Sequence, residues 1–180
     1  MKIMALLCLV AIPCLSLASD QSPYAGEELR SIKSLSEQEI ESLRRGSGMG
    51  FAKLAELNHY PGPKHVLEVA DHLMLSPSQA AATQSLFDEM QRRAVALGDQ
   101  LLAAEYELDR KFKEGSIHPQ LLKSALLEIG ELRAMLRYVH LEAHIRQKLI
   151  LNPKQVSKYD AVRGYQGGSH NHGEHSDAQH

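Results

Sequence analysis

The sequence predicts an all-α chain built on one long antiparallel helical hairpin, and three observations carry that prediction. Leu75-Ser76-Pro77-Ser78-Gln79 is echoed later in the chain by Leu151-Asn152-Pro153-Lys154-Gln155. Each copy joins an apolar residue, an N-cap (Ser76 or Asn152), a proline at the first helical position and a Gln three residues after the cap. The cap oxygen accepts a first-turn N–H, and the Gln reaches back to the N–H of the cap itself. Proline loses nothing at a position whose N–H has no helical partner. Between these two helix starts, apolar residues recur mainly at spacings of three, four and seven, the period of an amphipathic helix. No stretch alternates with period two for long enough to make a strand.

The elements follow in chain order. Lys2, the apolar stretch Ile3 to Leu15 and the small residues Ser16 and Ala18 are the three parts of a secretory signal. The stretch is shorter than the roughly 20 residues of a membrane span. Residues 1–18 are therefore expected to be cleaved, leaving a periplasmic protein with no membrane span. Cys8 and Cys14 both lie in that leader, so the mature chain would have neither disulfides nor thiolate chemistry. About 160 residues remain, enough for one core. Without Lys2 the chain carries 19 basic against 22 acidic residues. Such a balance gives no footing for nucleic-acid binding or polybasic membrane attachment.

Residues 19–35 read as a polar lead-in. Ser36-Glu37-Gln38-Glu39 is a further capping box, opening a short helix that Arg44-Arg45-Gly46 closes. Gly46, Gly48 and Gly50 make a loop around Met49, and Phe51 to Leu57 reads as another helical segment. Tyr60-Pro61-Gly62-Pro63 is a turn, and one short helix is expected from Lys64 to Leu73. From Pro77, the residues Leu86, Met90, Ala94, Leu97, Leu101, Leu108 and Phe112 mark the inner face of the first long helix, which Glu114-Gly115-Ser116 ends. Pro119 opens the second, with Leu122, Leu126, Ile129, Leu132, Leu136, Val139 and Ala143 as its apolar set. Gly130 weakens that helix by about 1 kcal/mol relative to alanine without breaking it. The second twin segment stops it and starts a last helix to about Val162, completing a helical domain over residues 36–163. Two helices of about 30 residues run near 45 Å at 1.5 Å per residue. Joined by a tight turn they must pack antiparallel, and the broad apolar face they leave predicts a homodimer.

Residues 164–180 are rich in Gly, Ser and His and read as a disordered tail. There His170, His172, His175 and His180, with Glu174 and Asp177, offer imidazoles and carboxylates that can wrap a divalent transition metal. Their His-x-His and His-x-x-His spacings suit Zn, Cu, Ni or Co. A solubilising tail that binds metals incidentally is the plainer alternative. His140 and His144 stand i, i+4 on the second long helix and can present two ligands on one face, with Glu142 nearby on another. Equally, they read as two half-exposed polar residues at the edge of the hairpin. His65, Glu68 and His72 also share a helical face. There is no Gly-rich phosphate loop, His-Glu-x-x-His motif, Cys nucleophile or Gly-x-Ser-x-Gly setting, so no enzyme is expected.

The twin segments Leu75 to Gln79 and Leu151 to Gln155 resemble the paired Leu-Thr-x-x-Gln motifs of the Spy/CpxP and periplasmic heavy-metal-sensor superfamily. The likeness extends to Met49–Asn58, to Tyr60-Pro61-Gly62-Pro63 and to His140-Leu141-Glu142-Ala143-His144, spanning about Tyr24 to Tyr165. Ser76 and Asn152 stand where the motif has threonine, and both preserve the cap. The resemblance implies an exported helical hairpin, often a dimeric cradle. It also implies one of three roles: metal binding in resistance or sensing, ATP-independent chaperoning of unfolded clients, or modulation of envelope-stress signalling through the periplasmic domain of a sensor kinase.

Overall fold

The computed structural model describes residues 22–165. The expected leader and the tail ligands His170, His172, Glu174, His175, Asp177 and His180 lie outside the described residues. Among those described, the regular structure is entirely helical. A 3-10 turn at Glu27–Leu29 precedes α1 (Glu37–Arg44), α2 (Lys53–Glu56), α3 (Pro63–Glu68), α4 (Ala70–Leu73), α5 (Pro77–Lys113), α6 (Pro119–Ile150) and α7 (Pro153–Arg163).

The hairpin is α5 and α6, of 37 and 32 residues, or about 55 and 48 Å long. Cross-helix pairs show its antiparallel sense: Gln147 Nε2 donates to Thr83 Oγ1 at 3.1 Å, Arg146 pairs with Glu89, Arg93 with Glu142, and Arg133 with Glu105. Leu86, Met90, Ala94, Leu101 and Leu102 meet Ile129, Leu136, Val139 and Ala143 in the core. Two residues that the periodicity places on the inner face behave otherwise, Phe112 at 55% and Leu126 at 51% exposed. They lie at the hairpin tip, where, among the described residues, α5, α6 and their connection alone line the surface. With Ile117, Leu122 and Leu127 they line an apolar hollow of about 570 Å³. The outer side of α6 carries a second exposed apolar row, Leu127, Met135, Tyr138, Ile145 and Leu149.

Helices α1, α2 and α3 pack against the hairpin, and α4 packs on α7 at its base. The lead-in is less polar in effect than its composition, since Ile32 and Leu35 are buried in the main core. Ser34 and Arg133 both donate to the buried Glu105 carboxylate, at 3.0 and 2.6 Å, tying that segment to both long helices. The capping box of α1 forms at Ser36 and Glu39, and Ile40 and Leu43 face α5. The end of α1 comes so close to α5 that a Cβ on Gly98 would stand 2.4 Å from the Leu43 carbonyl oxygen.

The expected single helix over Lys64 to Leu73 is two. Val69 leaves the helical region at φ −115°, ψ 22°, so α3 lies on the hairpin while α4 turns onto α7. The bend lets Val69 join Val66, Leu73, Leu151 and Tyr159 in a second apolar cluster, which one straight helix could not reach.

Both twin segments form complete capping boxes, and they also meet. Gln79 Nε2 donates to Gln155 Oε1 at 2.9 Å, and Gln155 Nε2 returns a bond to Gln79 Oε1 at 3.0 Å. The remaining amide hydrogens go to the carbonyls of Ile150 (2.9 Å) and Leu73 (3.3 Å). Each Oε1 also accepts its own cap N–H, so both amides use two donors and two acceptor sites, their full capacity. The repeat is thus a clasp between the starts of α5 and α7.

Candidate functional site

Where α2, the α1–α2 loop and the start of α3 lean on the hairpin, a cleft of about 710 Å³ opens. His140 and His144 lie on its wall, one helical turn apart on α6. They are not half-exposed at an edge: 3% and 8% of their surface reaches solvent. Both continue the stripe Leu136, Val139, Ala143 and Gln147, which faces inward.

The two rings are held differently. Phe51 stacks on the His140 ring at 5.7 Å and 18°, and His140 Nε2 is buried without a hydrogen-bond partner. Burial, with the neighbouring His144, pushes the His140 pKa down to about 4. Burial also lowers that of His144, opposed by its bond to Tyr60 and by the Glu56 carboxylate. Both rings are therefore neutral near pH 7. His144 Nδ1 donates to the Tyr60 carbonyl at 2.7 Å, which leaves the lone pair on Nε2. That nitrogen is bare because residue 62 is glycine: a Cβ there would stand 2.8 Å from both Nε2 and Cε1. The backbone at Gly62 is ordinary extended chain (φ −84°), so the glycine is needed for space rather than for conformation.

Glu56, at the end of α2, faces the same place. Its Oε2 is 3.6 Å from His144 Nδ1 and buried without a hydrogen-bond partner. Its Oε1 accepts a short hydrogen bond from the Tyr159 hydroxyl, with Arg163 Nε 3.9 Å away. Burial, and then Glu56, raise the pKa of Tyr159, so the phenol stays a donor. Asp160 of α7 pairs with His59 at 2.9 Å.

The structure brings together some of the residues the sequence singles out and separates others. His140 and His144 share the cleft. Glu142 turns away, accepting from Arg93 at 2.7 Å and from Tyr138 at 3.0 Å. His65 lines the cleft, its Nδ1 2.7 Å from Glu68 Oε2, whereas His72 lies on α4 and does not reach it. The sequence does not single out Glu56 or Tyr159. Tyr159 carries a signal, falling four residues after the clasp residue Gln155 on the same face of α7. Glu56 carries none, because one acidic residue in a short helix normally faces water.

Chemically, the wall offers two neutral imidazole nitrogens and one carboxylate oxygen, all lone-pair donors. Among the described residues, no group of three or more His, Cys, Asp or Glu side chains is arranged to hold a metal ion, and no helix is long and apolar enough to cross a membrane. No family model, curated protein or solved structure matches the chain.

Proposed function

We propose that the protein is a periplasmic, non-enzymatic metal-binding member of the Spy/CpxP and heavy-metal-sensor superfamily, acting in metal resistance or sensing. The His140–His144 pair carries the reading: two buried, neutral imidazoles on the wall of one cleft, the Nε2 of His140 without a partner and that of His144 kept bare by Gly62. A hydrogen bond from the other ring nitrogen to a carbonyl, as His144 makes to Tyr60, is the usual support of a metal-ligating histidine. The tail histidines add ligands of the same kind, and borderline-soft divalent ions (Zn, Cu, Ni or Co) suit them.

Calorimetric titration of the full chain with each of the four ions tests this. Uptake of at least one ion at micromolar concentration is expected, and Gly62→Ala should weaken it roughly tenfold. A full chain that takes up none of the four metals would sink the reading. A second reading, an ATP-independent chaperone, is favoured by the exposed row Leu127, Met135, Tyr138, Ile145 and Leu149. It predicts that the protein suppresses aggregation of a denatured model substrate without ATP and without added metal.

A further inference from the structure

A protein-held transition ion takes three or four donors in fixed geometry, and among the described residues no such set is arranged. The cleft beside His140 and His144 nonetheless has the size of a small-molecule pocket, at about 710 Å³. Its polar groups are sorted by depth, and the buried wall carries acceptors. His140 Nε2 has no hydrogen-bond partner there. His144 Nε2 keeps its lone pair because Nδ1 donates to the Tyr60 carbonyl. Glu56 Oε2 is also without a partner, while Oε1 accepts from the Tyr159 hydroxyl. Two of the three converge on one small space: the point where a Cβ on residue 62 would stand is 2.8 Å from His144 Nε2 and 3.6 Å from Glu56 Oε2. A buried acceptor left unpaired carries a desolvation cost, so a donor belongs beside it.

The mouth has the opposite sign. Arg45, Lys53 and Lys64 line the cleft and are exposed. Arg45 and Lys64 have acidic neighbours, Glu41 at 3.0 Å and Glu68 at 3.9 Å, and Lys53 makes no ion pair among the described residues. Much of the remaining lining is apolar, with Met49, Ala52, Phe87 and Met90. Acceptors inside, an apolar wall and cations outside suit a molecule that enters by an ammonium and leaves an anion at the opening. An ammonium has three N–H donors, one for each acceptor. In a single amino acid both charges hang on one carbon. A second residue sets them about 7 Å apart, and the long side chains of Lys53 and Lys64 can meet the outer one. Phe51 covers His140, but the loop before it has room to yield, since a Cβ on Gly48 or Gly50 would meet nothing within 4 Å.

We propose that this cleft binds a dipeptide with apolar side chains, its N-terminal ammonium held by His140, His144 and Glu56 and its carboxylate by Lys53 and Lys64. The inference goes beyond the metal-binding reading and does not rest on it. An ammonium asks for acceptors without the fixed geometry of a metal ion, which is what this wall provides.

Calorimetric titration of the full, metal-free chain with Leu-Leu tests it against two derivatives of that dipeptide. N-acetyl-Leu-Leu, which has no ammonium, should bind about 100-fold more weakly, and Leu-Leu amide, which has no carboxylate, about tenfold. Lys53→Gln/Lys64→Gln changes two exposed residues and should keep the fold. It should weaken Leu-Leu about tenfold and leave the amide unaffected. In ring ¹H–¹⁵N spectra, saturating Leu-Leu should move the His140 and His144 signals and leave that of His72, on α4, in place. No binding of Leu-Leu at millimolar concentration overturns the proposal, and so does equal affinity for the acetylated peptide. Equal losses for Leu-Leu and its amide in the lysine variant, or binding that leaves both rings unmoved, overturn it too. Each of these outcomes leaves the metal reading standing. A chain that binds Leu-Leu but none of the four ions loses the metal reading alone.

Discussion

His140 illustrates how one buried ring couples the fold to pH. Its pKa is about 4 in the folded chain and near 6.5 unfolded, so the unfolded state binds the proton more readily. Stability is fully present above about pH 6.5 and falls as pH drops toward 4, at up to about 1.4 kcal/mol per unit for this one group. His144 is shifted in the same direction and steepens the loss. Urea unfolding of the metal-free protein at pH 7, 6 and 5 should show this slope, and His140→Phe should flatten it; an unchanged slope would mean that other groups set it. The same residue shows what the sequence disclosed at this scale and what it withheld. The i, i+4 spacing of His140 and His144 was plain. Their burial was not: the apolar set ends at Ala143, which reads the two rings as half-exposed at the edge, and the inner stripe runs on to Gln147 only in the fold. The space over His144 Nε2 was not plain either, since it depends on Gly62 arriving from a turn more than 80 residues earlier in the chain, a distance of the order the Tyr60 contact spans (84 residues). Glu56 was hidden for the same reason, its partners coming from α6 and α7.

At the scale of elements, the helix starts and stops were legible because capping is local chemistry. Ser36, Ser76 and Asn152 all form the capping boxes their sequences imply. What local chemistry does not contain is the meeting of Gln79 with Gln155, 76 residues apart. Gln155→Ala removes a cap bond and leaves the Gln79 amide short of partners, a loss of about 2–3 kcal/mol. A double-mutant cycle with Gln79→Ala, followed by urea denaturation, should return a coupling energy of about 1–2 kcal/mol; additive losses would mean that the clasp is only two separate caps. The division of α3 from α4 is not legible in the sequence because Val69 is an acceptable helix residue on its own. Its departure from the helix is set by the second apolar cluster, a tertiary demand. The two helical glycines of the hairpin make a sharper pair. Gly130 has open space around its missing Cβ, while at Gly98 a Cβ would meet the Leu43 backbone at 2.4 Å. Gly130→Ala should therefore gain about 1 kcal/mol and Gly98→Ala should lose about 1–3 kcal/mol, both read from thermal or urea midpoints. Equal effects at the two sites would show that α1 does not seat on α5 as described.

The described residues form a long two-helix arm, with α1 to α4 and α7 gathered on its sides and at its base. The all-α class and the hairpin followed from periodicity alone, whereas the exposed tip did not, because a helical period marks a face without saying what covers it. Light scattering at micromolar concentration should give the mass of a dimer if the outer row of α6 pairs with a second copy. Met135→Glu/Ile145→Glu should then give a monomer with an unchanged circular dichroism spectrum, since both side chains are exposed (43% and 54%). A monomer in the unsubstituted protein leaves that row available to other proteins.

The hairpin is also supported unevenly along its length. The Gln79–Gln155 clasp, the Thr83–Gln147 bond and the second apolar cluster all lie at one end, and among the described residues the hydrogen bonds from the lead-in to the arm reach Asp109. From there to the turn, no other described element hydrogen-bonds to α5 or α6. The arm is a cantilever, anchored at the clasp and free at Phe112 and Leu126. Amide hydrogen exchange should run as a gradient, slowest around Thr83 and Gln147 and fastest beyond Asp109, where opening requires only local separation of two helices. The end that carries the apolar hollow is then also the end that parts most easily.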